Sequence, residues 1–164
     1  MSARRVQSRV ELPPFQALLD AHGHDVHRFL VAGVGRGDAD DCYQETMLAA
    51  LRAYPRLRDA ANLRGWLFTI AHRKSIDHAR GRRRTPIPAG DDLPEPTVTD
   101  PELRDGTVWV AVRSLPPKQR TAVALRFGFD ADYGAIAAVL DCSEEAARRS
   151  VHEGLKRLRR EVER

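Results

Sequence analysis

Apolar residues return every three or four positions along almost the whole chain, and no stretch alternates with the period of two that a half-buried strand requires. From about Phe15 to Val34, the residues Phe15, Leu18, Leu19, Val26, Phe29 and Leu30 fall at helical spacing, with an interruption expected near Gly23. A second helix is predicted to open at Asp38, whose carboxylate can cap free amides while Asp40 and Asp41 suit the positive end of the dipole. It should run to about Tyr54, before Pro55, with Met47, Leu48 and Leu51 as its apolar stripe. The third helix is expected from about Asn62 to Arg80, with Leu63, Trp66, Leu67, Ile70 and Ala71 on one face. Beyond residue 104 the pattern is helical again: Val108, Val112 and Leu115, then Thr121 to Phe127, Tyr133 to Leu140, and Ser143 to Glu163. The chain is predicted to be all-α.

Between these two sets of helices, from Thr85 to Arg104, Pro86, Pro88, Pro94, Pro96 and Pro101 interleave with Asp91, Asp92, Glu95, Asp100 and Glu102. No helix or central strand survives that proline spacing, so the segment reads as a flexible, extended, acidic tether. Two small helical domains follow, residues 1–84 and 105–164, joined by 85–104. Such a tether contributes little interface, and the two modules are expected to sample many relative positions without a large shared core.

Composition narrows the function classes. At 42% hydrophobic and 30% charged residues the chain has enough apolar material to fold. The net charge of +4 is modest, so the placement of the basic residues matters more than their number. Cys42 and Cys142 stand too far apart for a CxxC pair or half a zinc site, and fit a reducing cytosol as small apolar fillers. Met1 to Pro14 carries Arg4, Arg5 and Arg9 but no apolar run, and is expected to be a disordered tail rather than a signal peptide or anchor. His22, His24 and His27 cluster without further convergent ligands, and the chain has no GxSxG elbow and no phosphate-binding glycine loop. No metal, cofactor or enzymatic activity is expected.

The basic residues do gather. Tyr133, Ile136, Ala137 and Leu140 pack one face of a short helix, Asp141-Cys142-Ser143 makes a tight turn, and Ser143 is a good N-cap with Glu144 and Glu145 behind it. Ala147, Val151, Leu155, Leu158 and Val162 then form one apolar stripe, and Arg148, Arg149, His152, Lys156 and Arg159 fall together on an adjoining face. A helix-turn-helix needs such a face in its second helix, because arginine forks onto guanine edges and lysine neutralises phosphate. The N-terminal module has a second cluster, from Arg73 and Lys74 through Arg80 to Arg82, Arg83 and Arg84. It ends a helix with Trp66 and Phe68 as candidate exposed-edge aromatics, and aromatics beside cations suit unstacked bases. For Trp66 itself a place in the core is the stronger expectation.

Two long motifs, Asp38-Ala-Asp-Asp-Cys-Tyr-Gln-Glu-Thr-Met-Leu48 and Gly65-Trp-Leu-Phe-Thr-Ile-Ala-His-Arg-Lys-Ser-Ile-Asp-His-Ala-Arg80, resemble region two of the extracytoplasmic-function (ECF) sigma factors of bacterial RNA polymerase. Leu115-Pro-Pro-Lys-Gln-Arg120, Tyr133-Gly-Ala-Ile-Ala137 and Ser143 through Arg159 resemble their region four. The resemblance implies a transcription initiation factor that binds core RNA polymerase and promoter DNA and is held in check by an anti-sigma factor. By position, it assigns polymerase docking to Asp41, Gln44 and Glu45. Reading and melting of the minus-ten element falls to the helix from Asn62, with Leu63, Trp66, Arg73, Lys74 and Arg80, and the loop of about Asp59 to Leu63 pockets a flipped base. The final helix reads the minus-thirty-five element, and the tether runs toward the polymerase active site. Departures from the family's usual residues are Arg73 for asparagine, Ala146 for threonine, Ser150 and Glu153 for basic residues, Ala135 for glutamate and Asp141 for glycine. The rival reading is a one-module helix-turn-helix regulator that does not engage polymerase.

Overall fold

A computed structural model of the chain describes residues 10–84 and 106–164. Among the described residues, α1 (Phe15–Val34), α2 (Arg36–Ala53), a 3-10 turn (Tyr54–Arg56) and α3 (Leu63–Arg84) form the first module. The second contains α4 (Gly106–Ser114), α5 (Pro117–Gly128), α6 (Tyr133–Leu140) and α7 (Glu144–Val162). No described residue is in a strand. The acidic tether, most of the N-terminal tail and the side chains of Arg82, Arg83 and Arg84 lie outside the described residues.

Several helix limits differ from expectation for local reasons. Helix α1 runs unbroken through Gly23, which is buried. A side chain there has no space, because the Tyr43 hydroxyl of α2 lies 2.8 Å from where a Cβ would stand. Helix α2 opens at Arg36 rather than at Asp38, since Gly35 adopts φ 84° and turns the chain directly from α1 into α2 without a side-chain cap. Asp38 instead faces His78 of α3, 3.6 Å away. Helix α2 ends at Ala53, within a residue of the expected stop before Pro55, and passes into a 3-10 turn that begins at Tyr54, while α5 starts four residues early at Pro117, where a missing amide hydrogen costs no intrahelical bond. The end of the N-terminal arm is tied down: Leu12 packs on the core and the Tyr54 hydroxyl donates to the Pro13 carbonyl.

The buried face of α2 is not the expected one. Ala39, Cys42, Thr46 and Ala50 are buried, whereas Leu48 and Leu51 are about half exposed, at 53% and 50%. Small side chains let α2 lie close against α1 and α3, and the Thr46 hydroxyl is satisfied by the Cys42 carbonyl at 2.7 Å. Helix α7 buries Ala147 and Val151 as expected, but its apolar stripe stops at Leu158, because Val162 is 80% exposed.

The two modules share one hydrophobic core, which corrects the expectation of independent bodies. Phe129, at the end of α5, stands 6.3 Å from Phe29 of α1 and 5.1 Å from Phe68 of α3 between ring centroids. The guanidinium groups of Arg28 and Arg64 lie over its ring at 5.4 and 5.8 Å. Phe68 is therefore buried in the seam, not an exposed aromatic edge. His72 Nδ1 and the Thr121 hydroxyl are 2.8 Å apart across the same seam, and Arg120 donates to the Gly33 carbonyl at 3.0 Å. Tether composition sets how freely two modules can move; it does not set the affinity of the apolar faces it joins. A short tether keeps those faces at roughly millimolar effective concentration, so even a weak contact is populated.

Candidate polymerase and promoter interfaces

The helix-turn-helix is assembled by short-range bonds. The Asp132 carboxylate caps α6 by accepting from the Ala135 amide at 2.7 Å. Asp141 ends that helix in the left-handed region, φ 52° and ψ 55°, which aspartate tolerates better than most residues. The Cys142 amide then donates to the Ala137 carbonyl at 3.0 Å, and the Ser143 hydroxyl caps α7 through the Ala146 amide at 3.1 Å. Packing of Ala147, Val151 and Gly154 turns the opposite face outward, so Arg148, Arg149, His152, Lys156 and Arg159 are all exposed. The Arg148 guanidinium stacks over Tyr133 at 4.7 Å, and Arg126 lies over the same ring at 4.8 Å. Stacking restrains Arg148 before any ligand arrives, which lowers the ordering cost of a contact made by its fork. Glu153 is exposed on the same helix and dilutes its positive charge.

In the first module the loop before α3 is held by its own polar side chains. Asp59 accepts from the Ala61 amide at 2.8 Å, and Asn62 accepts from the Gly65 amide at 2.9 Å, making Asn62 the cap of α3 rather than its first residue. Asn62 is exposed, while Leu63 and Trp66 are half-buried. Trp66 rests against the core beside Tyr54, ring centroids 6.0 Å apart, as its size favours. Arg73 and Arg80 are exposed and Lys74 half-buried along the same helix.

Asp41, Gln44 and Glu45 are exposed on α2. At 100° per residue, Leu48 extends this acidic face by one turn, making it an acidic and apolar surface rather than an acidic one alone. Sequence reasoning assigned Leu48 to the core; the signal against that was the run of small residues Ala39, Cys42, Thr46 and Ala50 at helical spacing on the other side. The Cys42 thiol is pushed up to about 11, first by burial and then by the carboxylates of Glu45 and Asp38, so it stays protonated and serves as a filler.

Comparison with known proteins matches residues 18–85 to Sigma-70 region 2 and residues 106–158 to Sigma-70, region 4. The chain is 32% identical over 132 residues to the ECF RNA polymerase sigma factor SigC of Mycobacterium tuberculosis (strain CDC 1551 / Oshkosh), covering 77% of this chain and 71% of that one. The chain belongs to the sigma-70 family, in its ECF branch. It is also 31% identical over 155 residues to the RNA polymerase sigma factor CarQ of Myxococcus xanthus, covering 88% and 87% of the two chains. The fold is shared with the sigma factor RpoE solved in complex with the anti-sigma factor NepR from Bartonella quintana, at a TM-score of 0.72 and 22% identity over 91% of this chain and 96% of that one. This sigma factor is a transcription initiation factor. Matching both regions in one chain removes the motive for the one-module regulator.

Proposed function

We propose that this sigma factor works in the cytoplasm, by binding rather than by catalysis. In this reading the α2 face of Asp41, Gln44 and Glu45 docks core polymerase, and Asn62, Leu63, Trp66, Arg73, Lys74 and Arg80 engage the minus-ten element. Arg148, Arg149, His152, Lys156 and Arg159 engage the minus-thirty-five element. The observation that carries the reading is the solvent-facing row of five cationic or titratable side chains on α7, on the second helix of a helix-turn-helix whose other face is buried. An anti-sigma factor is its proposed regulator, acting by covering these faces. Run-off transcription with purified core polymerase tests the whole assignment: a promoter-dependent product that needs this chain is expected, and none from any template would overturn it.

Two substitutions separate its parts. Arg149→Ala and Arg148→Ala are each expected to weaken minus-thirty-five binding by about 1–3 kcal/mol and to relax base preference, if the contact is bidentate. Titrating wild-type and scrambled elements at two salt concentrations checks this; an equal loss on both, with a shallower salt slope, would mean phosphate positioning only. Asp41→Ala combined with Glu45→Ala should lower affinity for core polymerase while leaving duplex binding by α7 unchanged. Normal core binding in a pull-down would remove the docking assignment.

A further inference from the structure

We propose, on the minus-thirty-five role already proposed for α7, that Glu145 is a specificity-determining residue of this sigma factor. Its carboxylate accepts from the N4 amino group of a cytosine in the major groove, close to a guanine taken by an arginine of the same helix face.

At 100° per residue, Glu145 lies at the middle of the exposed face of α7. Arg148, Arg149, His152, Lys156 and Arg159 all project within about 60° of it, and the buried Ala147 and Gly154 lie on the opposite side. It stands in the first turn of the second helix of a helix-turn-helix, the part that meets base edges. The two adjacent glutamates are placed differently. Glu144 turns back to α6, its Oε1 3.2 Å from where a Cβ of Gly134 would stand, with Asp132 Oδ1 3.3 Å from the same point. Glu145 is exposed and, among the described residues, enters no ion pair. Arg148 and Arg149 follow at the spacing of helical ion pairs, but the Arg148 guanidinium is drawn instead over Tyr133 at 4.7 Å.

A bare carboxylate at the centre of a cationic face is repelled by phosphate, and Glu144 already supplies a negative charge to the same helix end. The major groove offers one base that suits it well. Guanine shows the acceptors N7 and O6, thymine shows O4 and a methyl group, and adenine sets the acceptor N7 beside its N6 donor. Cytosine presents its N4 amino group without an acceptor of its own alongside. Guanine in turn offers O6 and N7 to an arginine fork. From Glu145 to Arg149 the helix rises about 6 Å, roughly two base-pair steps of ~3.4 Å, so both contacts fit one short run of C·G and G·C pairs. At any other base the carboxylate is left facing acceptors, so Glu145 excludes wrong sequences as much as it attracts the right one.

Sequence selection from a library of random duplexes, with the full chain bound to core polymerase, tests this on the wild type, Glu145→Gln and Glu145→Ala. The wild type should enrich cytosine at one position of the minus-thirty-five element by about tenfold over each other base. Glu145→Gln should move that position to adenine, which a glutamine amide pairs through N6 and N7. Glu145→Ala should leave it without preference, and every other selected position should be unchanged in both variants, with helicity preserved by circular dichroism. Identical selected sequences from all three proteins, with both variants binding every duplex more tightly, would reduce Glu145 to a repulsive charge and overturn the inference. A lower melting temperature in the variants with base preference unchanged would overturn it too, leaving only a dipole role. If no selected position responds to Arg148→Ala or Arg149→Ala either, α7 is not the reader, and the inference falls with that reading.

Discussion

Replacing Gly154 by leucine should dismantle region 4, lowering its stability by about 3 kcal/mol or more and its melting temperature by roughly 15 °C. Gly154 is buried in the middle of α7, at the point where that helix crosses α5. A Cβ there would stand 2.7 Å from Val123 Cγ2, with the Gln119 carbonyl oxygen at 3.5 Å and Gln119 Cβ at 3.6 Å. Val123 itself packs with Val112 and Leu115 in a small core of its own, so it cannot move without disturbing α4. Helix α7 must therefore lift off, and the minus-thirty-five binding proposed for it should be lost as well. Gly154→Ala is the instructive companion: alanine gains about 1 kcal/mol of helix propensity, which offsets much of the cost of rotating Val123. Thermal unfolding by circular dichroism checks the pair. A leucine variant within 1 kcal/mol of the wild type would show that α5 and α7 are free to separate.

Acid should weaken the seam through a single histidine. His72 is 5% exposed, and its imidazole is lowered from 6.5 to about 4, first by burial and then by the positive charges of Lys118, Arg73 and Arg120. The folded state thus keeps His72 neutral where the unfolded chain takes up a proton. Its contribution to stability is fully present above pH 6.5 and is lost as pH falls from 6.5 toward 4, up to about 3 kcal/mol over that window. The neutral ring also shares a hydrogen bond with Thr121, which is drawn from the other module, so region 4 should release before either module unfolds. His72→Gln removes the titration while keeping a polar partner for Thr121. Urea unfolding at pH 7 and pH 4.5 should show a smaller difference between the two pH values for the variant than for the wild type. Equal differences would place the acid sensitivity elsewhere.

Much of the chain was legible before any coordinates, and the legible parts share a cause. Asp141 and Ser143 act on backbone groups within a few residues of themselves, so the α6-turn-α7 unit could be read from local chemistry, although the Asp132 cap of α6 was not expected. The exposed row from Arg148 to Arg159 follows from helical period alone once α7 is recognised. Helix α2 shows where period stops being enough. Its largest apolar side chains, Leu48 and Leu51, are exposed, while Ala39, Cys42, Thr46 and Ala50 are buried, because closely crossing helices select small residues that hydrophobicity alone ranks low.

Local order, then, was determined largely by the sequence itself: the seven helices among the described residues, the Ser143 cap of the last one, and the charge carried by each surface. Tertiary structure alone decided that the two sets close on each other. Phe29 reads as a core residue of the first module, Phe68 as an exposed aromatic edge and Phe129 as neither, because nothing local distinguishes a ring left at the surface from one buried in a neighbour. Their meeting depends on the shape of two preformed surfaces, and burial of apolar area is non-directional, so no spacing in the chain encodes it.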